Sequence, residues 1–180
     1  MKGSSILIRK KLVIIDETGA TTKLARLHGR APRGHRLRIG LPHGHWKTKT
    51  FIGGLRLSGM TAPMVLDGPM TGAWFAAYAQ QVLAPTLKPG DVVILDTLAA
   101  HRNADAKAAI EADGATLMFL PPYRPDFNPI ENAFAKVKAQ PRKAAARTIE
   151  DLWGAIAKAL DTDSPTECAN YLAAAGYDAN

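Results

Sequence analysis

Two short apolar runs, each closing on an aspartate, constrain this chain more than any other feature. Leu12-Val13-Ile14-Ile15 leads into Asp16, and Val92-Val93-Ile94-Leu95 leads into Asp96. Four consecutive aliphatic residues, mostly β-branched, suit a strand covered on both faces, and therefore an α/β sheet with helices packed on it. In open α/β sheets, ligands and catalytic groups gather at the ends of such strands. Taken singly, each aspartate reads more simply as a turn or cap residue.

The remaining pattern supports the same class. Thr50–Leu57 and Thr61–Leu66 suit strands, with Ser58-Gly59 as the turn between them. A helix is predicted from Thr71, its N-cap, to Leu87, with Trp74, Phe75, Tyr78 and Val82 on one face. Further helices are predicted over Asn103–Asp113, Asn128–Gln140 with Pro129 at the first position, Thr148–Leu160 and Pro165–Ala175; Thr116–Leu120 is a strand. A strand-rich first half followed by alternating helix and strand predicts a mixed central sheet flanked by helices. At 180 residues, one domain is expected over 1–180, with a core over about 12–140 and a helical extension over 148–180. Cys168 is the one cysteine, which excludes a disulfide framework and a multi-cysteine zinc site. No apolar run reaches the roughly 18 residues of a membrane span, so no membrane partner and a cytoplasmic location are expected.

Charge is distributed unevenly. Residues 1–60 hold 13 Lys and Arg against Asp16 and Glu17, a net of +11, whereas residues 61–180 hold 10 basic against 14 acidic residues, a net of −4. A block this basic is the footprint of a polyanion such as nucleic acid, with a solvated basic face as the alternative. Arg30, Arg33, Arg36, Arg38, Lys47 and Lys49 are its candidate contacts, Trp46 lying among them, and Arg124, Lys136 and Lys138 add cations near the last predicted acidic site. His43 and His45 lack a third ligand and read as structural or surface residues. Residues 150–180 carry six acids and one lysine, which excludes the tail from a DNA surface.

Glu131 is a third acid of interest. It stands three residues after Asn128, the spacing of a capping box, in which it would only satisfy backbone donors. If instead Asp16, Asp96 and Glu131 converge, their mutual repulsion demands a cation, and hard oxygen donors select Mg²⁺ or Mn²⁺. Two such ions roughly 3.5–4 Å apart clamp the attacking and leaving oxygens of a phosphoryl transfer. A phosphatase using Asp16 as an aspartyl nucleophile is disfavoured, because Thr18 stands where that chemistry has a second aspartate.

Three strings carry a resemblance: Asp16-Glu17-Thr18, Leu95-Asp96-Thr97-Leu98-Ala99-Ala100-His101-Arg102, and Pro121-Pro122-Tyr123-Arg124-Pro125-Asp126-Phe127-Asn128-Pro129-Ile130-Glu131. With 34 residues between Asp96 and Glu131, they resemble the DDE transposases of bacterial insertion sequences related to the mariner superfamily. Gly29–Gly34, Pro42–Thr48 and Glu167–Tyr171 extend the resemblance over nearly the whole chain from about Leu12. It implies a ribonuclease H-like fold, a metal-binding catalytic triad of Asp16, Asp96 and Glu131 holding two Mg²⁺ or Mn²⁺ ions, and a substrate-orienting role for His101. It further implies cleavage and strand transfer of double-stranded DNA at transposon ends and target, by a homodimer that is nucleoid-associated. Thr97 replaces the usual Asn and Arg124 the usual Ser of these motifs. The family's N-terminal helix-turn-helix is not evident before Asp16, which leaves three readings: a separately encoded helix-turn-helix partner in a second reading frame, a non-catalytic DNA-binding remnant of a truncated transposase, or a misassigned start.

Overall fold

The structure, a computed structural model, describes residues 9–21, 30–36, 48–121, 125–144 and 148–177. Its centre is a five-stranded sheet in the order β3-β2-β1-β4-β5. The strands are β1 (Leu12–Thr21), β2 (Thr48–Arg56), β3 (Gly59–Leu66), β4 (Val92–Leu95) and β5 (Thr116–Phe119). β1, β2 and β3 pair antiparallel, while β4 lies parallel to β1 and β5 parallel to β4. The mixed sheet expected from the sequence is therefore present.

Helices cover both faces. α1 (Gly72–Tyr78) continues through a π turn, Ala79–Leu83, and a 3₁₀ turn, Ala84–Thr86, so the predicted single helix is not uniformly α. Pro85 has no N–H to donate into the preceding turn, and the helix widens there, the Ala84 N–H reaching back to the Ala79 carbonyl. α2 is Ala104–Ala112, α3 Ile130–Ala144, α4 Ile149–Leu160 and α5 Pro165–Ala174. α4 and α5 both begin with capping boxes, Thr148 with Asp151 and Ser164 with Glu167.

Alternation along β1 separates two cores. Leu12 and Ile14, with Phe51 of β2, pack against Ile130, Phe134 and Val137 of α3, backed by α4 and α5. Val13 and Ile15, with Ile52 of β2, pack against Phe75 and Tyr78 of α1 and Ile110 of α2. Trp74 departs from expectation: it is 51% exposed, because Phe75 and Tyr78, whose rings lie 6.2 Å apart, fill the sheet-facing side of the short helix. Tyr78 also donates its hydroxyl to the Ala62 carbonyl at 2.9 Å. Ala62 has a left-handed φ of 48° at the irregularity in β2–β3 pairing, so this bond anchors a strained position.

Candidate active site

β1 does not stop at Asp16. It runs five residues further, held by pairing to β2, with Asp16 opposite Gly53. What ends there is pairing on the other side, since the last β1–β4 partners are Ile14 and Ile94. Asp16 is thus a mid-strand residue beside the opening where β4 finishes at Leu95, and Asp96 is the first residue beyond β4. This corrects the expectation of two strand-end aspartates, while keeping both at the carboxyl edge of the parallel strands.

Asp16 is buried at 7% exposure. Its Oδ1 accepts from the Glu17 N–H at 2.7 Å and its Oδ2 from Asn128 Nδ2 at 2.6 Å. Burial pushes its pKa up to about 7, and the charges of Glu17 and Asp96 add to that rise; the two hydrogen bonds oppose it. Asp96 is more open. Burial raises its pKa too, but hydrogen bonds from His101 and the Leu98 N–H, with the imidazolium charge, leave it below the usual carboxylate range.

His101 is fully buried and stands between two acids. Nδ1 lies 2.5 Å from Asp96 Oδ1 and Nε2 lies 2.9 Å from Glu17 Oε2. Burial disfavours its charged form, but the two carboxylates outweigh burial and lift the pKa to about 10. The ring also rests against Phe75, centroids 4.7 Å apart.

Glu131 occupies the first turn of α3 and is exposed. The capping-box alternative does not hold. Among the described residues Asn128 Oδ1 is buried without a hydrogen-bond partner, so that side chain does not cap α3; its amide N–H is spent on Asp16. The bond ties the residue two positions ahead of α3 to the Asp16 strand; Glu131 is in the first turn that follows. Among the described residues, no three acidic, histidine or cysteine side chains converge as a metal ligand set. The donors that do gather nevertheless fit a hard divalent cation: two carboxylates that repel each other, and a buried amide oxygen with no donor.

The basic candidates separate. Arg30, Arg33 and Arg36 are exposed, whereas Arg38, Lys47 and Arg124, like His43, His45 and Trp46, lie outside the described residues. Lys49 is buried and paired with Asp67 at 2.5 Å. Lys136 points away from the site, donating to Glu167 at 2.8 and 2.9 Å and to the Thr162 carbonyl at 2.9 Å, with Asp163 3.1 Å away. Lys138 is half-buried beside Phe51 and Leu152. A cleft of about 350 Å³ opens beside Asp96, its lining including Thr97, His101, Arg102, Asn103, Lys107 and Phe119. Sequence reasoning missed two participants, Glu17 and the amide of Asn128; the signals were the acid pair Asp16-Glu17 and an Asn three residues before Glu131.

No helix among the described residues is long and apolar enough to cross a membrane. A family described as DDE superfamily endonuclease matches residues 11–153. No curated protein matches by sequence. Among solved structures, the Mos1 transposase paired-end complex with left transposon end is similar at a TM-score of 0.68 and 14% identity, over 96% of this chain and 56% of that one. The chain thus spans little more than half of that transposase. The catalytic domain of Mos1 mariner transposase is similar at 0.59 and 13% identity, over 99% of this chain and 93% of that one. A chain of the simian T-cell lymphotropic virus intasome in complex with PP2A regulatory subunit B56 gamma is similar at 0.59 and 11% identity, over 85% of this chain and 48% of that one. These likenesses bear out the ribonuclease H-like fold.

Proposed function

The chain belongs to the DDE superfamily endonucleases, and from that premise we propose that it is the catalytic domain of a DNA transposase, cleaving DNA strands and joining a 3′-hydroxyl to target DNA. The observation that carries this reading is the meeting of Asp16 and Asp96 at the open edge between β1 and β4, with α3 tied to Asp16 through Asn128. Asp16, Asp96 and Glu131 would hold two Mg²⁺ or Mn²⁺ ions. When bound, such ions supply Lewis-acid activation of the phosphodiester and of the attacking hydroxyl. Asn128 orients Asp16, and His101 orients Asp96. The exposed Arg30, Arg33 and Arg36, with Arg38, Lys47, Arg124 and Lys138, would hold the phosphate backbone. Lys49 and Lys136 are left out of that set, because each is engaged by acids of its own chain.

A homodimer acting on paired ends, together with a helix-turn-helix unit that reads them, completes the proposal. The test is nicking of a transposon-end duplex with Mg²⁺ or Mn²⁺, with and without an added helix-turn-helix protein that reads the ends. Wild-type chain is expected to nick, and Asp96→Asn to fall to background with an unchanged circular dichroism spectrum. Nicking that survives in D96N would remove Asp96 from the triad. DNA binding with no nicking under any condition would assign the chain as a non-catalytic remnant.

A further inference from the structure

We infer that Glu17 is a positioning residue that braces the Asp96 carboxylate through His101 from the opposite face of the sheet. This rests on the reading of Asp96 as an active-site carboxylate. Adjacent strand residues point to opposite faces. Asp16 follows Ile14 onto the α3 side, whereas Glu17 follows Val13 and Ile15 onto the side covered by α1 and α2. An acid on that apolar side is costly unless something receives it. His101 is the receiver, and its second nitrogen passes the contact on to Asp96.

Both ring nitrogens are within hydrogen-bond distance of carboxylate oxygens of this chain, so neither remains for DNA. The ring has no exposed surface and is held against Phe75. A direct substrate-orienting contact by His101 is therefore replaced by an indirect one. Asp96 needs the support, since it lies beyond a four-residue strand and its side chain is 33% exposed. Its two donors, His101 Nδ1 and the Leu98 N–H at 3.1 Å, both end on Oδ1. Oδ2 receives no donor among the described residues, and the carboxylate plane is set with that oxygen open. Without Glu17, Nε2 would be buried unpaired and the ring would lose the contact that fixes its rotation.

Three variants separate reach from charge. Glu17→Gln keeps an oxygen that can accept from Nε2, Glu17→Asp keeps the charge but withdraws it by one methylene, and Glu17→Ala removes both. For each, kcat and KM for duplex nicking are measured, together with Mn²⁺ affinity by calorimetry, melting temperature, and the His101 ring signals in ¹H–¹⁵N spectra of the metal-free protein. E17A and E17D are expected to lose about 10–100-fold in kcat and in Mn²⁺ affinity, with KM for DNA nearly unchanged, and E17Q to recover most of the loss. The Nε2–H signal should be protected in wild type and E17Q and lost in E17A. Unchanged His101 signals and Mn²⁺ affinity in E17A overturn the brace. If E17A does not fold, E17D decides by the same signals. Should wild type itself fail to nick, the endonuclease reading fails, while the ring spectra and metal affinity still decide the brace.

Discussion

Asp16 is held in its ionised form only at a cost to the fold. Its surroundings raise its pKa from 3.8 to about 7, burial being the largest cause. An acid whose folded-state pKa lies above the unfolded one stabilises the fold only while protonated, so its contribution is whole below about pH 3.8 and is lost as pH rises through about 7. Asp16→Asn never ionises, and Asn128 Oδ1, which lacks a donor, can turn to accept from the new amide. In chelator at pH 8, D16N is expected to melt roughly 2–6 °C above wild type, about 1–2 kcal/mol, the difference shrinking away toward pH 4. The same variant should not nick DNA. Thermal melts across that pH range check the first statement, and a D16N curve parallel to wild type at every pH would refute it. Asp16 and Asp96 were legible because each follows an apolar run. Glu17 was not, because an acid after an acid reads as the polar end of a strand, and only a contact 84 positions away shows otherwise.

At the scale of elements, α3 is the arm that carries Glu131 in its first turn and follows directly on Asn128. Its purchase is apolar: Ile130, Ala133 and Phe134 are fully buried, and the Phe134 ring meets Phe51 edge-on at 5.7 Å. Phe134→Ala is expected to cost about 3–5 kcal/mol and to depress nicking more than its loss of folded population explains, since the arm loses its seat. Denaturant titration with parallel nicking assays measures both, and a loss of activity equal to the unfolded fraction would confine Phe134 to stability. Strand and helix positions were largely legible, because two-residue and three-to-four-residue apolar periods differ plainly. The continuation of β1 through Thr18-Gly19-Ala20-Thr21 was not, since Gly19 and Ala20 interrupt the strand pattern and the segment is held by pairing with β2. The π turn of the first helix escaped for a similar reason: it follows from Pro85 acting one turn upstream.

For the molecule as a whole, net charge is +7, and three exposed arginines project from the described part of the basic half. Phosphate contacts release counterions, so DNA affinity should fall steeply with salt and depend little on sequence. Replacing Arg30, Arg33 and Arg36 together by alanine should flatten the slope of log K against log salt by about 2–3, equally for end-sequence and random duplexes. Fluorescence anisotropy across a salt series measures this, and an unchanged slope would remove that segment from the DNA surface. Composition exposed the basic half but not which cations are already engaged, because the acids that hold Lys49 and Lys136 lie far along the chain, at Asp67 and Glu167.

The strand order β3-β2-β1-β4-β5 also bears on how the polypeptide emerges from the ribosome. The first acidic residue is translated early, yet its strand stays half-unzipped until position 95 has left the exit tunnel, and the arm bearing the third acid emerges later still. Translation products that end before β4 therefore lack the second acidic residue altogether, and those that end between β4 and α3 carry two of the three.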